Sequence, residues 1–436
     1  MGAQVVVSMP SITKEGTGTR VTAVVQVPSR NPVSVWYRCP VEHISTEQAL
    51  DAFFVLVLVP AMRLGATISM PGPVSRDLLR GAETFQDIYC QWYPGVMSTV
   101  PVDAAPRTEV PRLRPQRGLA SCFTGGVDAF FSTLHPPREL YRLVYVHGFD
   151  IALRETKFRR MVSTRLHTAA KELDLPLLEV ETNLRELTNP HAHWPKHMHG
   201  SAVASVGILL AHDIDGLLIP SSGGSELISA DNGSHQITDR LHGTEYFSVI
   251  HHGTSTSRIA KTKAVAENEV GARHLRVCFK SRTDYNCGTC FKCRRTLLDL
   301  HAVGLKRKVK SFPNTPSRRE LLDSVFIDPK NPLLLARASR DHIRTHGGPR
   351  DIEQALTRAI NAHEVQQTTQ ALLPLLAESG HSLKTLAIME RLRYALTAQH
   401  RRRRRETHRA RLRLLAGSPG TLAGRASRRV RLRWTR

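Results

Sequence analysis

Four of the seven cysteines in the chain fall within sixteen residues. Their spacing, Cys278-x8-Cys287-x2-Cys290-x2-Cys293, places three sulfurs on one tight turn and brings the fourth from an upstream segment. Four thiolates satisfy the tetrahedral coordination of Zn²⁺, and nearby basic side chains offset the negative charge of such a site. These basic residues are Lys280, Lys292, Arg294 and Arg295. The spacing therefore predicts a structural zinc site, with an iron–sulfur cluster as the alternative.

The other cysteines and the apolar segments bear on where the chain resides. Cys39, Cys90 and Cys122 are far apart in the sequence, so the cysteines do not resemble a disulfide framework and a reducing compartment is predicted. Residues 1–12 lack the basic and apolar regions of a signal peptide. The most apolar run, Ala52–Met62, is about half of the ~20 residues that a membrane span requires. We therefore expect a cytoplasmic protein that does not enter a membrane.

From residue 118 onwards, short apolar strands alternate with helical segments. Strands are predicted at Leu119–Phe123, Leu143–His147, Pro176–Val180, Gly216–Ile219 and Phe247–Ile250, and helices at Val127–Leu134, Lys157–Leu173, His199–His212 and Thr296–Val303. This alternation is typical of a parallel sheet that is covered by helices on both faces. The sequence therefore predicts an α/β fold with a parallel sheet flanked by helices.

The chain is long for one domain, and its composition suggests four parts. Residues 1–117 are predicted to form an α+β unit that ends in a proline-rich linker at 101–116. Residues 118–312 are predicted to form the α/β domain with the cysteine site. Residues 313–399 are predicted to form a helical extension, and residues 400–436 an Arg-rich, disordered tail.

The N-terminal unit begins with two segments that alternate between apolar and polar residues. These segments, Arg20–Val27 and Val33–Tyr37, are predicted to be paired strands. Two helices are predicted to follow at residues 45–62 and 74–92, with Ser75 as the N-cap of the second.

The net charge of +23 is concentrated at the C-terminus. Residues 401–436 contain 14 arginines and a single acid, Glu406, and so carry +13 of this charge. Arginine clusters bind phosphate backbones independently of sequence, which makes nucleic acid a candidate partner of the tail. Because no aromatic stacking platform accompanies the arginines, a solvated, disordered arm is the favoured interpretation.

A glycine pair follows the first predicted strand of the α/β region, in the segment Thr124-Gly125-Gly126-Val127-Asp128. The glycines allow backbone amides to turn toward an anion, and such anions bind at the carboxyl ends of parallel strands. Thr124 could add a hydroxyl donor, and Asp128 could hold the loop or reach a phosphate-bound Mg²⁺. The motif is short, so an ordinary strand-to-helix turn with Thr124 as N-cap is the alternative.

The loop resembles the PP-loop, Ser-Gly-Gly-x-Asp-Ser, of the ATP pyrophosphatases, which are also called adenine nucleotide alpha hydrolases. Gly125, Gly126 and Asp128 match this motif, Thr124 stands in place of its first serine, and Ala129 replaces its last serine. The resemblance implies a PP-loop (HUP-like) fold that binds ATP and Mg²⁺ and cleaves ATP between the α and β phosphates.

The cysteine spacing is similar to that of the 7-cyano-7-deazaguanine synthase branch of this family, in which the zinc site also follows the nucleotide domain. The resemblance covers about residues 118–303. It implies that residues 124–128 bind the nucleotide and that Asp128 and Lys261 are catalytic, because a lysine in this region commonly helps bind phosphate. Arg258 and Lys263 lie on the same predicted helix, whose alternative interpretation is a solvated face.

Further polar residues are candidates by position alone. Four histidines between the third and fourth strands are predicted to line the pocket rim, with a metal site as the less favoured alternative. They are His191, His193, His197 and His199. Candidate substrate contacts between the fourth and fifth strands are Ser234, His235, Asp239 and Glu245. Cys122 is interpreted either as a thiol nucleophile or as a buried strand cysteine.

Three functions fit these features. The first is an ATP-dependent ligase, in which a substrate carboxylate takes the adenylyl group, pyrophosphate leaves, and a nitrogen nucleophile then displaces AMP. The second is a sulfur-transfer enzyme of the same superfamily that acts on RNA, for which Cys122 is the one well-placed thiol. The third is a nucleotide-binding protein without turnover, which the replacement at Ala129 suggests. The partners of the first are ATP and a small molecule, and a homodimer is compatible with the sequence.

Overall fold

The computed structural model describes residues 2–222, 232–312, 315–322 and 332–378. The chain divides into two compact units, Met1–Leu356 and Thr357–Arg436. The predicted Arg-rich tail and the predicted helical residues 379–399 lie outside the described residues.

The described strands are β1 (Gln4–Val7), β2 (Ser11–Glu15), β3 (Gly18–Gln26), β4 (Val33–Cys39), β5 (Thr67–Ser69), β6 (Val102–Asp103), β7 (Gly118–Cys122), β8 (Leu140–His147), β9 (Leu177–Thr182), β10 (Ile214–Pro220) and β11 (Ser248–His252). The described α-helices are α1 (Thr46–Leu64), α2 (Arg76–Trp92), α3 (Val127–Leu134), α4 (Thr156–Glu172), α5 (Arg185–Thr188), α6 (His199–Leu209), α7 (Arg258–Glu267), α8 (Glu269–His274), α9 (Phe291–Ala302), α10 (Arg318–Leu322), α11 (Pro332–His346) and α12 (Arg350–Glu378).

All of these strands belong to one mixed sheet. Their order is β11-β10-β7-β8-β9-β4-β3-β1-β5-β6, and β2 pairs with β3. Neighbouring strands from β11 to β9 are parallel. An antiparallel pair between β4 and β9, with Tyr37 opposite Thr182, joins the N-terminal strands to them. The predicted parallel sheet is therefore confirmed as one part of a larger mixed sheet, and no break in that sheet marks the boundary predicted at residue 117.

Helices cover both faces of the parallel strands. Along β8, Leu143 and Tyr145 belong to one buried cluster, whereas Val144 and Val146 belong to another. Successive side chains of a strand point to opposite faces, so the two clusters lie on opposite sides of the sheet. Helices α3, α4, α7 and α9 contribute to the first cluster, and helices α1, α2 and α6 to the second.

Helix α1 contains the most apolar segment of the chain. Ser45 caps it, because its side chain accepts a hydrogen bond from the backbone of Gln48 while the Gln48 side chain bonds back to the Ser45 backbone. The helix ends at Gly65, which has a φ of 60°. Residues 48–62 are buried, and α1 packs along α6. Within the part of the chain that the structure describes, no helix is long and apolar enough to cross a bilayer.

A buried ion pair holds the segment that was predicted as a linker, residues 101–116. The Arg107 guanidinium donates to both carboxylate oxygens of Asp51, at 3.1 and 2.8 Å. The same carboxylate accepts hydrogen bonds from the Ser75 backbone N–H and the Tyr246 hydroxyl. The Arg107 and Asp51 side chains are 6% and 0% exposed. The first part of the predicted linker, which also contains β6, is therefore fixed within the fold.

Removal of this carboxylate is expected to destabilise the protein strongly. The Asp51→Ala substitution leaves the buried Arg107 charge with only the more distant Glu245 carboxylate, at 3.8 Å, which costs about 3–5 kcal/mol of unfolding free energy. The control is Arg38→Ala, because Arg38 pairs with Glu15 at 3.3 Å while both side chains are exposed or half-exposed. We expect that change to cost less than about 1 kcal/mol. Denaturant unfolding of both variants measures the difference, and similar losses would contradict the prediction.

Candidate functional site

The succession of parallel strands changes direction between β7 and β10. Across the sheet, the five parallel strands lie in the order β9-β8-β7-β10-β11. Strand β8, which follows β7 directly in the sequence, and the later strand β10 therefore lie on opposite sides of β7. In open α/β sheets, ligands bind at the carboxyl ends of the strands where the order reverses. Residues 124–128 leave β7 at this edge, and Ser221 directly follows β10. The predicted glycine loop therefore lies where this topology places a ligand.

The first glycine of the loop is required by both conformation and packing. Gly125 has a φ of +73°, in the left-handed region that favours glycine. A Cβ at this position would lie 3.1 Å from Leu166 Cδ2 and 3.3 Å from the Tyr285 hydroxyl. Gly126 is extended and forms the N-cap of the eight-residue helix α3. Thr124 is therefore not the N-cap, contrary to the interpretation as an ordinary capped turn.

The backbone N–H groups of the loop are available to a ligand. None of the N–H groups from Thr124 to Asp128 donates a hydrogen bond to a described residue. The first N–H groups of a helix have no intrahelical acceptor and carry the positive end of the helix dipole. The loop therefore offers several N–H donors to an anion at the N-terminus of α3.

Two basic side chains of α7 hold Asp128. Arg258 forms an ion pair with Asp128 Oδ2, and Lys261 Nζ lies 3.6 Å from Asp128 Oδ1. Lys261 is fully buried, and it donates a hydrogen bond of 2.9 Å to the carbonyl oxygen of Ser221. Lys261 therefore connects the loop after β7 with the loop after β10, at the switch point of the sheet.

The four cysteines form a compact cluster. Their sulfur atoms all lie within 4.8 Å of one another, with 3.9 Å between Cys278 and Cys290 and 4.0 Å between Cys287 and Cys293. A tetrahedral ion with bonds of about 2.3 Å separates its sulfur ligands by about 3.8 Å. The backbone N–H of Ser281 donates to the Cys278 sulfur at 3.2 Å. The cluster could therefore hold a metal ion in the geometry that the spacing predicted.

Two of the four thiols are held in an acidic form. The hydrogen bond with the Cys293 thiol lowers the pKa of Cys290, and the same hydrogen bond, together with burial, raises the pKa of Cys293. The hydrogen bonds of Thr289 and the Cys290 backbone outweigh burial and lower the pKa of Cys287. Thiolates are the form of cysteine that binds metal, so the donor set fits a divalent ion.

The cysteine segment packs directly on the glycine loop. The Arg276 backbone N–H donates a hydrogen bond of 2.7 Å to the Gly125 carbonyl, and the Tyr285 hydroxyl lies beside the same glycine. Asn286 is fully buried and fixes residues 275–278 through three hydrogen bonds to their backbone. The candidate metal site and the loop therefore form one assembly. Arg276 and Tyr285 were not predicted, because they fall outside both motifs.

Three of the predicted substrate contacts lie together at the carboxyl end of β11. Asp239 is 1% exposed, and its carboxylate accepts hydrogen bonds from the Ser234 hydroxyl at 2.7 Å and the His235 backbone N–H at 3.1 Å. It also forms a hydrogen bond of 2.7 Å with His251 Nδ1. Sequence patterns did not single out His251, since a histidine at the end of a strand has no motif of its own.

Two predicted residues lie elsewhere. Glu245 accepts hydrogen bonds from the Ser75 hydroxyl and the Arg76 backbone N–H, so it stabilises the N-terminus of α2 rather than contacting the loop. Lys263 is half-exposed, and Glu267, at 3.9 Å on the same helix, is its partner. Of the basic residues predicted on α7, Arg258 and Lys261 thus reach Asp128.

The four histidines between β9 and α6 do not converge on a metal ion. Among the described residues, only the cysteines bring three or more such ligand atoms together. His191 instead lines a cavity with Arg30 and Glu186, and the His197 ring packs edge-on against Tyr93. The less favoured metal interpretation of these histidines is therefore not supported.

Cys122 is placed next to the loop but is poorly suited to nucleophilic chemistry. It packs against the cluster on the α6 face. Burial, reinforced by the nearby Asp239 carboxylate, raises the pKa of its thiol to about 12. Since the thiolate is the nucleophile, these surroundings disfavour nucleophilic chemistry at Cys122.

Fold and site together define an α/β protein with a mostly parallel mixed sheet, flanking helices and a four-cysteine group that could bind metal. No protein-family model matches the chain, and the searches of curated proteins and of solved structures found no match.

Proposed function

We propose that this protein is an ATP-dependent enzyme of the PP-loop type, which adenylates a carboxylate and releases pyrophosphate. The observation that carries the proposal is the row of unbonded N–H groups from Thr124 to Asp128 at the switch point of the sheet. Such a row binds phosphate oxygens without any side chain. The buried ammonium of Lys261 supports the same assignment, because it adds positive charge beside the loop.

Each residue of the loop then has a role in holding ATP. The amides and the Thr124 hydroxyl bind the β and γ phosphates, and Lys261 stabilises the charge that develops on the leaving pyrophosphate. Asp128 would bind Mg²⁺ through Oδ1, which is buried and makes no hydrogen bond with the described residues, although Lys261 Nζ lies 3.6 Å from it. Mg²⁺, when bound, neutralises phosphate charge.

The proposed reaction has two steps. A carboxylate oxygen of the substrate attacks the α-phosphorus, the bond from that phosphorus to the bridging oxygen breaks, and pyrophosphate leaves with the electron pair. A nitrogen nucleophile then attacks the carbon of the acyl adenylate, AMP leaves, and the nitrogen loses a proton. Positioning and charge stabilisation provide most of the catalysis.

Zinc is proposed as a structural ion at Cys278, Cys287, Cys290 and Cys293. The sulfur separations fit tetrahedral coordination, and all four positions are filled by protein ligands, as in structural rather than catalytic sites. When bound, zinc holds the segment that carries Arg276 against the loop.

Nucleotide binding without turnover is the second candidate, and Ala129 favours it. Ala129 lies in the first turn of α3, is 5% exposed and packs in the apolar cluster, so it provides no hydroxyl to a phosphate. The sulfur-transfer alternative receives less support, because the raised pKa of Cys122 disfavours the thiolate that it needs.

Thermal unfolding and pyrophosphate release together test the proposal. We expect ATP with Mg²⁺ to raise the midpoint of unfolding, by the equivalent of about 2.7 kcal/mol at 100 times its dissociation constant. AMP, which lacks the phosphates that the loop would hold, serves as the control and should stabilise less. Pools of carboxylates with ammonia should then release pyrophosphate. Binding without release from any pool would favour the second candidate, and no stabilisation by ATP would contradict both.

A further inference from the structure

Arg276 carries a buried charge that no acidic side chain of the described residues neutralises. It is 6% exposed, and its side chain forms no ion pair or hydrogen bond with any described residue. Its Nε atom is buried without an acceptor. The guanidinium lies over the ring of Phe158, with Cζ 5.7 Å from the ring centroid. The Arg276 charge also acts on the Tyr145 and Tyr285 hydroxyls. A guanidinium so little exposed, with no acid among the described residues, is unfavourable unless an anion completes its surroundings.

A second arginine at the same ring shows how an arginine charge is usually neutralised. Arg282 Cζ lies 5.8 Å from the Phe158 ring centroid, but Arg282 donates to the Glu155 carboxylate at 2.8 Å and its side chain is 43% exposed. The pocket around Phe158 thus contains one paired, solvated arginine and one buried arginine without an acid. The charge of Arg276 is not accounted for by the fold.

Arg276 also adjoins the candidate phosphate loop. Its backbone N–H donates a hydrogen bond to the Gly125 carbonyl. If residue 125 had a Cβ, that atom would lie 3.4 Å from the Cβ of Arg276. The unbonded N–H groups of residues 124–128 begin at the same point of the chain. The backbone and Cβ of Arg276, whose charge has no partner among the described residues, therefore contact the glycine beside which the row of amide donors begins.

We infer that Arg276 binds a phosphate of the nucleotide held by this loop, an inference that rests on the proposed function. The guanidinium is planar and presents several donors, which suits two phosphate oxygens at once. Arg276 approaches the loop through Gly125, whereas Lys261 approaches it through Asp128. Because Asn286 fixes residues 275–278, the cysteine segment sets the position of a phosphate-binding side chain.

The Arg276→Met substitution tests this inference in the full-length, metal-loaded protein. Titration calorimetry with MgATP and with inorganic pyrophosphate measures affinity, and thermal unfolding without ligand measures stability. We expect both affinities to fall roughly 10- to 100-fold, as for the loss of a charged hydrogen-bond donor. The unfolding midpoint without ligand should stay unchanged or rise, because an unpaired buried charge has been removed. Arg276→Lys should retain part of the affinity, since lysine keeps the positive charge but lacks the planar set of donors of a guanidinium.

The matched control is Arg282→Met, which removes the paired arginine from the same ring and should leave both affinities within two-fold, about the error of such a comparison. Wild-type affinity in Arg276→Met would overturn the inference and leave the proposed function standing. A weaker affinity that comes with a lower midpoint in Arg276→Met would also overturn it, because Arg276 would then be structural. Failure of the wild-type protein to bind MgATP or pyrophosphate would overturn the proposed function, and the inference with it.

Discussion

Replacement of Lys261 by methionine is expected to slow pyrophosphate release about 10²- to 10³-fold, which is the usual cost of losing one preorganised group at a developing charge. Lys261 is fully buried and lies 3.6 Å from Asp128, so its ammonium acts in surroundings that screen it little. Methionine keeps most of the length and apolar volume of the side chain. Asp128 would keep its ion pair with Arg258, which limits the effect on folding.

The control for this variant lies two residues along the same helix. Lys263→Met removes a half-exposed lysine whose partner is Glu267, and it should leave kcat/KM for pyrophosphate release unchanged. Both variants are compared in a coupled pyrophosphate assay, with thermal unfolding as the check on structure. Equal activity of Lys261→Met and Lys263→Met would show that the buried lysine serves packing alone.

The features that could be predicted from sequence are those encoded locally. Helix α3 was predicted at Val127–Leu134 and is observed there, because a glycine pair and then an apolar segment determine where a helix can begin. The Ser75 cap of α2 and the cysteine cluster are also local, since capping and knuckle formation depend on spacings of a few residues. Such patterns were enough to place the loop and the cluster in one domain.

The pairing of the sheet could not be predicted, because it depends on contacts between distant residues. Strands β1 and β5 are four and three residues long, and their place in the sheet depends on pairing with each other and with β3 and β6. The antiparallel pair of β4 and β9 joins residues such as Tyr37 and Thr182, which no local pattern relates. For the same reason, the sequence pattern places Arg107 in a linker, whereas the fold places it against Asp51.

The candidate site shows the same limit. The family resemblance predicts that Lys261 is catalytic, but it does not predict the hydrogen bond from Lys261 to the Ser221 carbonyl. That contact exists because β10, which Ser221 follows, lies beside β7 in the sheet. Arg276 has no sequence signal, because its significance is that its side chain has no acidic partner among the described residues. His251 likewise becomes notable only through Asp239, which reaches it from another loop. Whether a charged side chain has a partner depends on which distant residues the fold brings near it, so no local sequence pattern predicts it.

Removal of metal is expected to have the second large effect, on both stability and nucleotide affinity. Structural zinc contributes about 10–16 kcal/mol of binding free energy in small zinc-dependent domains, so its loss here should lower the unfolding free energy by more than about 5 kcal/mol. At roughly 2 °C per kcal/mol, the unfolding midpoint should fall by about 10 °C. Elemental analysis should find one zinc ion per chain before chelation, and calorimetry should follow the loss of ion and of midpoint together.

The effect on ATP affinity distinguishes a site that is coupled to the loop from one that only stabilises a remote segment. Arg276 and Tyr285 contact Gly125 from the cysteine segment, so chelation at a temperature where the chain stays folded should weaken MgATP binding, and zinc should restore it. Cys290→Ser should reproduce the weaker binding, whereas Cys90→Ser, which removes a half-buried thiol of α2, should not. Equal MgATP affinity of the chelated, folded protein and the metal-loaded protein would contradict this prediction. It would show that the metal has no influence on the glycine loop.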